Sequence, residues 1–214
     1  VSNGNPGVTT YIGGTGNDSI SSYHSGNDTY VYNLGDGNDV LLDKGGSDTL
    51  RFGAGIVKED LSFENGSSYT VIKIANSGNI KLNNTSDARY WLETIEFADG
   101  SKISNVREYV YSQLGSNGND IIYSSDGGAK IEAKDGNDVI YGIWTGRDEF
   151  YGGDGNDALY GVDGADRLDG GAGDDYIEAR ADGGGDILIG GSGNDTIVSN
   201  GNPGVTTYIG GTGN

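Results

Sequence analysis

The chain has 214 residues, of which 41 are glycine and only 34% are hydrophobic, and its formal net charge is −19. So few apolar residues beside so much charge predict a chain that stays unfolded unless something neutralises it. The acidity argues against nucleic acid and anionic lipid as partners. The absence of Cys excludes a disulfide scaffold and thiol chemistry, and no run nears the ~18 apolar residues of a membrane span. The absence of Met points to a fragment or a processed chain, and no leader segment is visible.

Residues 1–17 return unchanged at 198–214, an offset of 197 residues. The chain therefore reads as slightly more than one period of a tandem array, with an engineered duplication as the rival. The first turns follow: Gly13-Gly14-Thr15-Gly16-Asn17-Asp18, Ser25-Gly26-Asn27-Asp28, Gly35-Asp36-Gly37-Asn38-Asp39 and Gly45-Gly46-Ser47-Asp48. Two residues after each Asp stand Ile20, Tyr30, Leu41 and Leu50, all able to face a core. His24, the only histidine, lies in a turn and reads as a surface residue, which leaves no His-based triad or zinc cluster.

At about Thr49 the period stops. Strand-like runs are expected at 59–64, 69–75, 79–83 and 90–97, with Asn65-Gly66 and Asp99-Gly100 as hairpin dipeptides. Val106, Tyr109, Val110 and Leu114 are spaced for a helix over Ser104 to Leu114, with Asn105 and Glu108 as a capping box and Gly115 as its stop.

From Gly115 the turns resume as a nine-residue unit, cleanest over Gly152 to Glu178. Its sixth position holds Asp120, Ala129, Asp138, Asp148, Asp157, Asp166, Asp175, Asp186 and Asp195. Its eighth holds Ile122, Ile131, Ile140, Phe150, Leu159, Leu168, Ile177, Leu188 and Ile197. Extra residues at Gly142 and at Ala179-Arg180 predict bulged turns, and Asn202-Pro203-Gly204 predicts a longer turn before Tyr208-Ile209.

The unit has a direct physical reading. Gly, Asn and Asp turn the chain, because Gly and Asn tolerate positive φ. A three-residue strand follows whose middle side chain faces inward. Two such strands complete one coil of a flattened roll, so turns n and n+2 stack and their sixth-position carboxylates approach. The expected pairs are Asp18/Asp39 and Asp28/Asp48, then Asp120/Asp138, Asp138/Asp157, Asp148/Asp166, Asp157/Asp175, Asp166/Asp186 and Asp175/Asp195. Two anions so placed require a cation between them, and oxygen ligands suit a hard one such as Ca²⁺. Ala129 stands where the repeat asks for Asp, so the site shared with Asp148 is expected to be weak. Asp in place of Lys in each Gly-rich loop argues against a phosphate site.

The repeated G-G-x-G-x-D-x-U-x pattern, U being an apolar residue, resembles the RTX repeats of secreted bacterial proteins. Residues Asp48 to Gly53, Glu59-Asp60-Leu61 and Leu92 to Gly100 resemble the region that often follows those repeats in haemolysin-type proteins. The resemblance implies an all-β fold, a right-handed parallel β-roll in two segments. Its expected parts are a partial roll at 1–48, a β-rich capping domain with a C-terminal helix at 49–114, and a second roll at 115–214. It also implies that turn carbonyls join the Asp pairs, here those of Gly153, Gly155, Gly171, Gly173, Gly191 and Gly193, around about eight Ca²⁺ ions.

The function expected is a non-enzymatic, extracellular or cell-surface module that leaves the cell unfolded by one-step secretion and folds on calcium outside. Neighbouring modules, head to tail, are the expected partners within a large adhesin- or toxin-like protein. The alternative is a calcium-dependent carbohydrate-binding or targeting module beside an enzyme domain. Tyr123, Tyr141 and Tyr160 recur on one outer face, as β-formers on an exposed sheet or as a strip for polysaccharide or a neighbouring module. Trp91 and Trp144 are expected to pack.

Overall fold

The structure, a computed structural model, describes residues 7–83, 92–124, 128–143, 145–181, 184–201 and 206–213. Trp91, Trp144, the turn at Asn202-Pro203-Gly204 and the start of the run at 90–97 lie outside them. Contacts divide the chain into two compact units, residues 1–64 with 68–110, and 65–67 with 111–214.

Short Thr-, Val- and Tyr-rich runs between Gly/Asp turns give the first strands, β1 (Thr10–Ile12), β2 (Ser19–Ser21), β3 (Thr29–Tyr32), β4 (Asn38–Leu42) and β5 (Thr49–Phe52). A 3₁₀ turn at Lys58–Asp60 leads to β6 (Leu61–Gly66), β7 (Tyr69–Ile74), β8 (Gly78–Asn83), β9 (Thr94–Glu96), β10 (Lys102–Ser104) and helix α1 (Val106–Leu114). Alternate strands enter opposite sheets, in the orders β1-β3-β5-β9-β10 and β2-β4-β8-β7-β6. Each sheet starts parallel and ends antiparallel, through β9 with β10 and β8 with β7. Strands from both sides of residue 48 therefore share both sheets, because Leu50 and Ile80 continue the inward rows set by Tyr30 and Asp39.

The local expectations for this region fall close to the observed elements. The Asp99-Gly100 hairpin forms, with Gly100 N–H bonded to Phe97 O at 3.0 Å. The other turn lies at Ser67-Ser68, two residues past Asn65-Gly66, because β6 runs on through Gly66. Asn105 Nδ2 bonds Glu108 Oε2 at 2.6 Å where the capping box was expected. Strand β10 carries only Ile103 inward, too short an apolar pattern to read in advance.

The second unit consists of β11 (Ile121–Tyr123), β12 (Lys130–Asp135), β13 (Val139–Tyr141), β14 (Glu149–Asp154), β15 (Ala158–Tyr160), β16 (Arg167–Ala172), β17 (Tyr176–Ala181), β18 (Ile187–Ser192), β19 (Thr196–Gly201) and β20 (Thr207–Thr212). They form two five-stranded sheets, β11-β13-β15-β17-β19 and β12-β14-β16-β18-β20, parallel throughout. The fold is an all-β parallel solenoid, two strands to a coil. Ile131, Ile140, Phe150, Leu159, Leu168, Ile177 and Leu188 are fully buried along its axis. Ile197, on the last strand of its sheet, is only half-buried. Ala179 and Arg180 do not bulge: they extend β17 and pair with Ser199 and Asn200. The extra residues add strand instead of loop because the parallel ladder supplies hydrogen bonds for them.

Coil spacing explains the glycines. Gly155 and Gly173 both have φ of 133°. A Cβ on Gly173 would sit 2.1 Å from Gly155 O in the coil below, so no larger residue fits the stack.

The duplicated stretch occupies two different places. As β20 it pairs backward with β18, Thr207 N–H bonding Asp186 O at 2.8 Å. As β1 it pairs forward with β3, Thr9 O accepting from Thr29 N–H at 2.8 Å. Identical residues thus spend the hydrogen-bonding groups of opposite edges.

Gly173→Ala is expected to cost on the order of 2–4 kcal/mol in a calcium-saturated melt. Gly210→Ala, whose Cβ would meet nothing within 4 Å, should change little. Equal losses in both would show that coil spacing does not select the glycine.

Candidate metal centres

Each acidic turn ends one residue before a strand, or just inside it at Asp39 in β4, so strand register fixes where its carboxylate lies. Asp157 shows the repeating unit. Its Oδ1 accepts Asp138 N–H at 2.8 Å, and its own N–H donates to Asp175 Oδ1 at 2.8 Å. The same bond joins Asp120 to Asp138 at 2.8 Å, Asp148 to Asp166 at 2.9 Å, Asp166 to Asp186 at 3.1 Å and Asp175 to Asp195 at 3.1 Å. In the first unit it joins Asp18 to Asp39 at 2.9 Å and Asp28 to Asp48 at 2.6 Å. Every expected Asp pair is therefore brought together. At Ala129 the chain keeps the backbone half alone, its N–H donating to Asp148 Oδ1 at 2.8 Å.

This bond uses Oδ1 and leaves Oδ2 for other partners; Ser22 Oγ donates to that of Asp28 at 2.8 Å. Oδ2 of Asp18, Asp48, Asp138, Asp157, Asp175 and Asp195 is buried without a hydrogen-bond partner. Glycine keeps space beside it: a Cβ on Gly152, Gly170 or Gly190 would stand 2.3 Å from Oδ2 of Asp157, Asp175 or Asp195. The carbonyls of Gly153, Gly155, Gly171 and Gly173 point at the glycine of the coil above, at a distance only glycine admits. Gly191 and Gly193 face Gly211 and Gly213 in the same way. Buried orphan carboxylate oxygens, adjacent space and an all-oxygen donor set fit a hard divalent cation such as Ca²⁺.

The charge carries a cost. Burial, above all, raises Asp157 to about 6, with the Asp175 and Asp138 carboxylates adding to it. Asp39, Asp138 and Asp175 are raised mainly by burial too. Asp48 is pushed up to about 7 by burial and by the charges of Asp43, Glu93 and Asp28.

Two members of this constellation escaped the sequence reading. Glu93 accepts Asp48 N–H at 2.5 Å, the place the next ladder Asp would fill, and β9 then pairs β5. The signal was present, since Glu93-Thr94-Ile95 repeats the pattern of Asp28-Thr29-Tyr30 and Asp48-Thr49-Leu50. Asp43 lies beside Asp28 and Asp48, with Gly45 N–H and the Tyr30 hydroxyl donating to it. On the other sheet Asp39 meets Ile80, an apolar end to that ladder.

His24 is not a surface residue. Its side chain is 12% exposed and its Nδ1 lies 3.7 Å from Asp28 Oδ2, because the turn folds it back beside that carboxylate. The tyrosines do line up: Tyr123 and Tyr141 stack with ring centroids 5.2 Å apart, Tyr141 and Tyr160 at 5.0 Å. Each ring face between two coils is thus taken by its neighbour.

A parallel solenoid with carboxylates stacked from turn to turn defines a metal-binding repeat module. Residues 114–129, 125–142 and 145–177 match the RTX calcium-binding nonapeptide repeat (4 copies), and residues 71–105 match the haemolysin-type calcium binding protein related domain. The chain thus carries a calcium-binding repeat module of the kind typical of secreted proteins. No curated protein matches the chain. Among solved structures, the extracellular lipase LipA from Serratia marcescens is similar at 14% identity and a TM-score of 0.37, over 88% of this chain and 32% of the lipase. The chain spans about a third of that protein.

The raised carboxyls set a pH dependence. Their native values lie above the ~4 of an unfolded chain, so between about pH 4 and 7 the ion-free native state binds more protons than the unfolded one. Its stability therefore falls as pH rises through that window. In chelator, β signal by circular dichroism should be greater near pH 5 than near pH 7.5. Calcium affinity should weaken over the same fall in pH, since the ion needs ionised carboxylates. A chelated chain that loses β signal on acidification would contradict this.

Proposed function

We propose that the chain is an extracellular, non-catalytic structural module of a large surface or matrix protein, exported unfolded and folded by calcium. The observation that carries this is the row of buried carboxylates bonded to backbone N–H through Oδ1, with Oδ2 left facing inward. Without cations the like charges oppose stacking, and strands of three to six residues cannot offset the chain entropy. With calcium, binding free energy becomes folding free energy. Among the described residues no helix is long and apolar enough to cross a membrane. In chelator at neutral pH the circular dichroism should be that of a largely unfolded chain, and Ca²⁺ should restore the β signal. Mg²⁺ should not, since it demands a tighter octahedral shell. A chelated sample fully folded at neutral pH would sink the proposal.

The ligands in this reading are the paired Asp carboxylates, with carbonyls of the glycine turns, and about eight ions bind in all. Organised this way, roll segments at 1–48 and 115–214 flank the part at 49–114, which closes the first of them. Asp157 lies between two partners, Asp138 and Asp175, while among the described residues Asp195 joins Asp175 alone. Calorimetry of Asp157→Ala should therefore show about twice the loss of bound calcium seen for Asp195→Ala. Equal losses would rule out the shared-ligand scheme.

The duplicated segment supports a head-to-tail arrangement of modules. In an array its one copy would bond backward as β20 does and forward as β1 does, running the second roll of one module into the first roll of the next. The exposed Ile12, Tyr208 and Ile209 would then be covered. Light scattering should reveal calcium-dependent association growing with protein concentration, in open chains because the contact is heterologous. A strict monomer at high concentration in saturating calcium would overturn this.

A further inference from the structure

Around Asp48 the chain gathers more acid than an ordinary turn. One carboxylate oxygen from each of Asp28, Asp43 and Asp48 lies within 4.8 Å of the others, and all three residues are buried. Asp43 stands five residues before Asp48, the place that Gly152, Gly170 and Gly190 hold before Asp157, Asp175 and Asp195. In those turns Oδ2 of the Asp faces the glycine, 2.3 Å from where a Cβ would be. Here a carboxylate occupies that side. Asp48 is 1% exposed, and its Oδ2 is buried with no hydrogen-bond partner.

Neutral donors already hold the rest of the cluster. Thr9 N–H and Ser22 Oγ donate to Asp28, Gly45 N–H and the Tyr30 hydroxyl to Asp43, and Asp28 N–H to Asp48. The one basic group beside them, among the described residues, is His24 at 3.7 Å from Asp28. A single imidazole cannot balance three buried carboxylates, and repulsion between them is relieved only by a proton or a metal cation.

We propose that Asp28, Asp43 and Asp48 form a three-carboxylate centre for one hard divalent cation, Ca²⁺ in a calcium-rich medium, with Asp43 a ligand that the repeat pattern does not contain. This rests on the reading of the stacked acids as calcium ligands. An additional charged ligand tightens an oxygen site, so this centre fills at lower calcium than the two-carboxylate turns. The first unit then orders before the rest of the ladder is loaded.

Isothermal calorimetry of the whole chain with Ca²⁺ tests this, alongside Asp43→Asn and Asp43→Gly. The second variant restores the glycine of an ordinary turn but removes the acceptor of the Tyr30 hydroxyl, so circular dichroism of both variants in saturating Ca²⁺ first checks that the β signal is kept. The unaltered chain should show one step at least about tenfold tighter than the others. Both variants should lose that tight step and keep the weaker ones. A tight step that survives in both variants, or is missing from the unaltered chain, overturns the centre and leaves Asp43 and Asp48 sharing a proton. Those outcomes leave the ladder standing, whereas a chain that takes up no calcium at all removes the ladder and this centre together.

Discussion

One hydrogen bond recurs through both rolls: within the ladder, the N–H of one turn's acidic residue donates to Oδ1 of the Asp one coil on. It fixes where the next turn lies, and it spends a carboxylate oxygen on backbone. What remains is an anionic Oδ2 in a dry place, tolerable only with a proton or a cation. Register, burial and metal affinity are therefore one constraint. The apolar row from Ile131 to Leu188 fills the axis, but aliphatic side chains of similar size set the register along the strand only loosely. The Asp-to-amide bonds set it closely, since a shift along the strand leaves both partners unpaired.

Parallel sheets usually need cover on both faces and closure at their ends. The first unit closes its two sheets with chain reversals, β9 to β10 on one and β8 to β7 on the other. A reversed strand cannot be followed by another coil in the same sense, so the solenoid stops there. Ile80 beside Asp39 ends one ladder with an apolar side chain, while Glu93 beside Asp48 ends the other with a longer acid.

Where spacing is regular, the sequence is nearly a drawing of the structure. The Asp at the sixth position and the apolar residue at the eighth follow from a two-strand coil, and every expected Asp pair meets. Legibility failed where the relevant contact jumps the period. Glu93 is 45 residues from Asp48, and the Glu-Thr-Ile cue that marks it is brief beside the strand-like runs around it. Asp43 was hidden differently: it stands in a glycine position, where the eye expects only turn geometry. Ala179-Arg180 misled because two extra residues can lengthen a strand as easily as a loop, and only the partner β19 decides between them. His24 was misplaced because turn residues are usually solvated, whereas this turn packs against a carboxylate.

The separation between stacked acids is 18 residues for Asp148 and Asp166, 20 for Asp28 and Asp48, 21 for Asp18 and Asp39, and 45 for Asp48 and Glu93. The carboxylate-to-amide bond survives all four values, so it does not measure contour length; it measures only how the chain re-enters the stack. A coil can thus lodge a guest between its two turns, as the stretch holding β6 to β8 is lodged between Asp48 and Glu93, and the stack resumes on the far side. Such an architecture can acquire new surface by insertion, at whichever coil has room, while its core grammar of acid and glycine is copied unchanged.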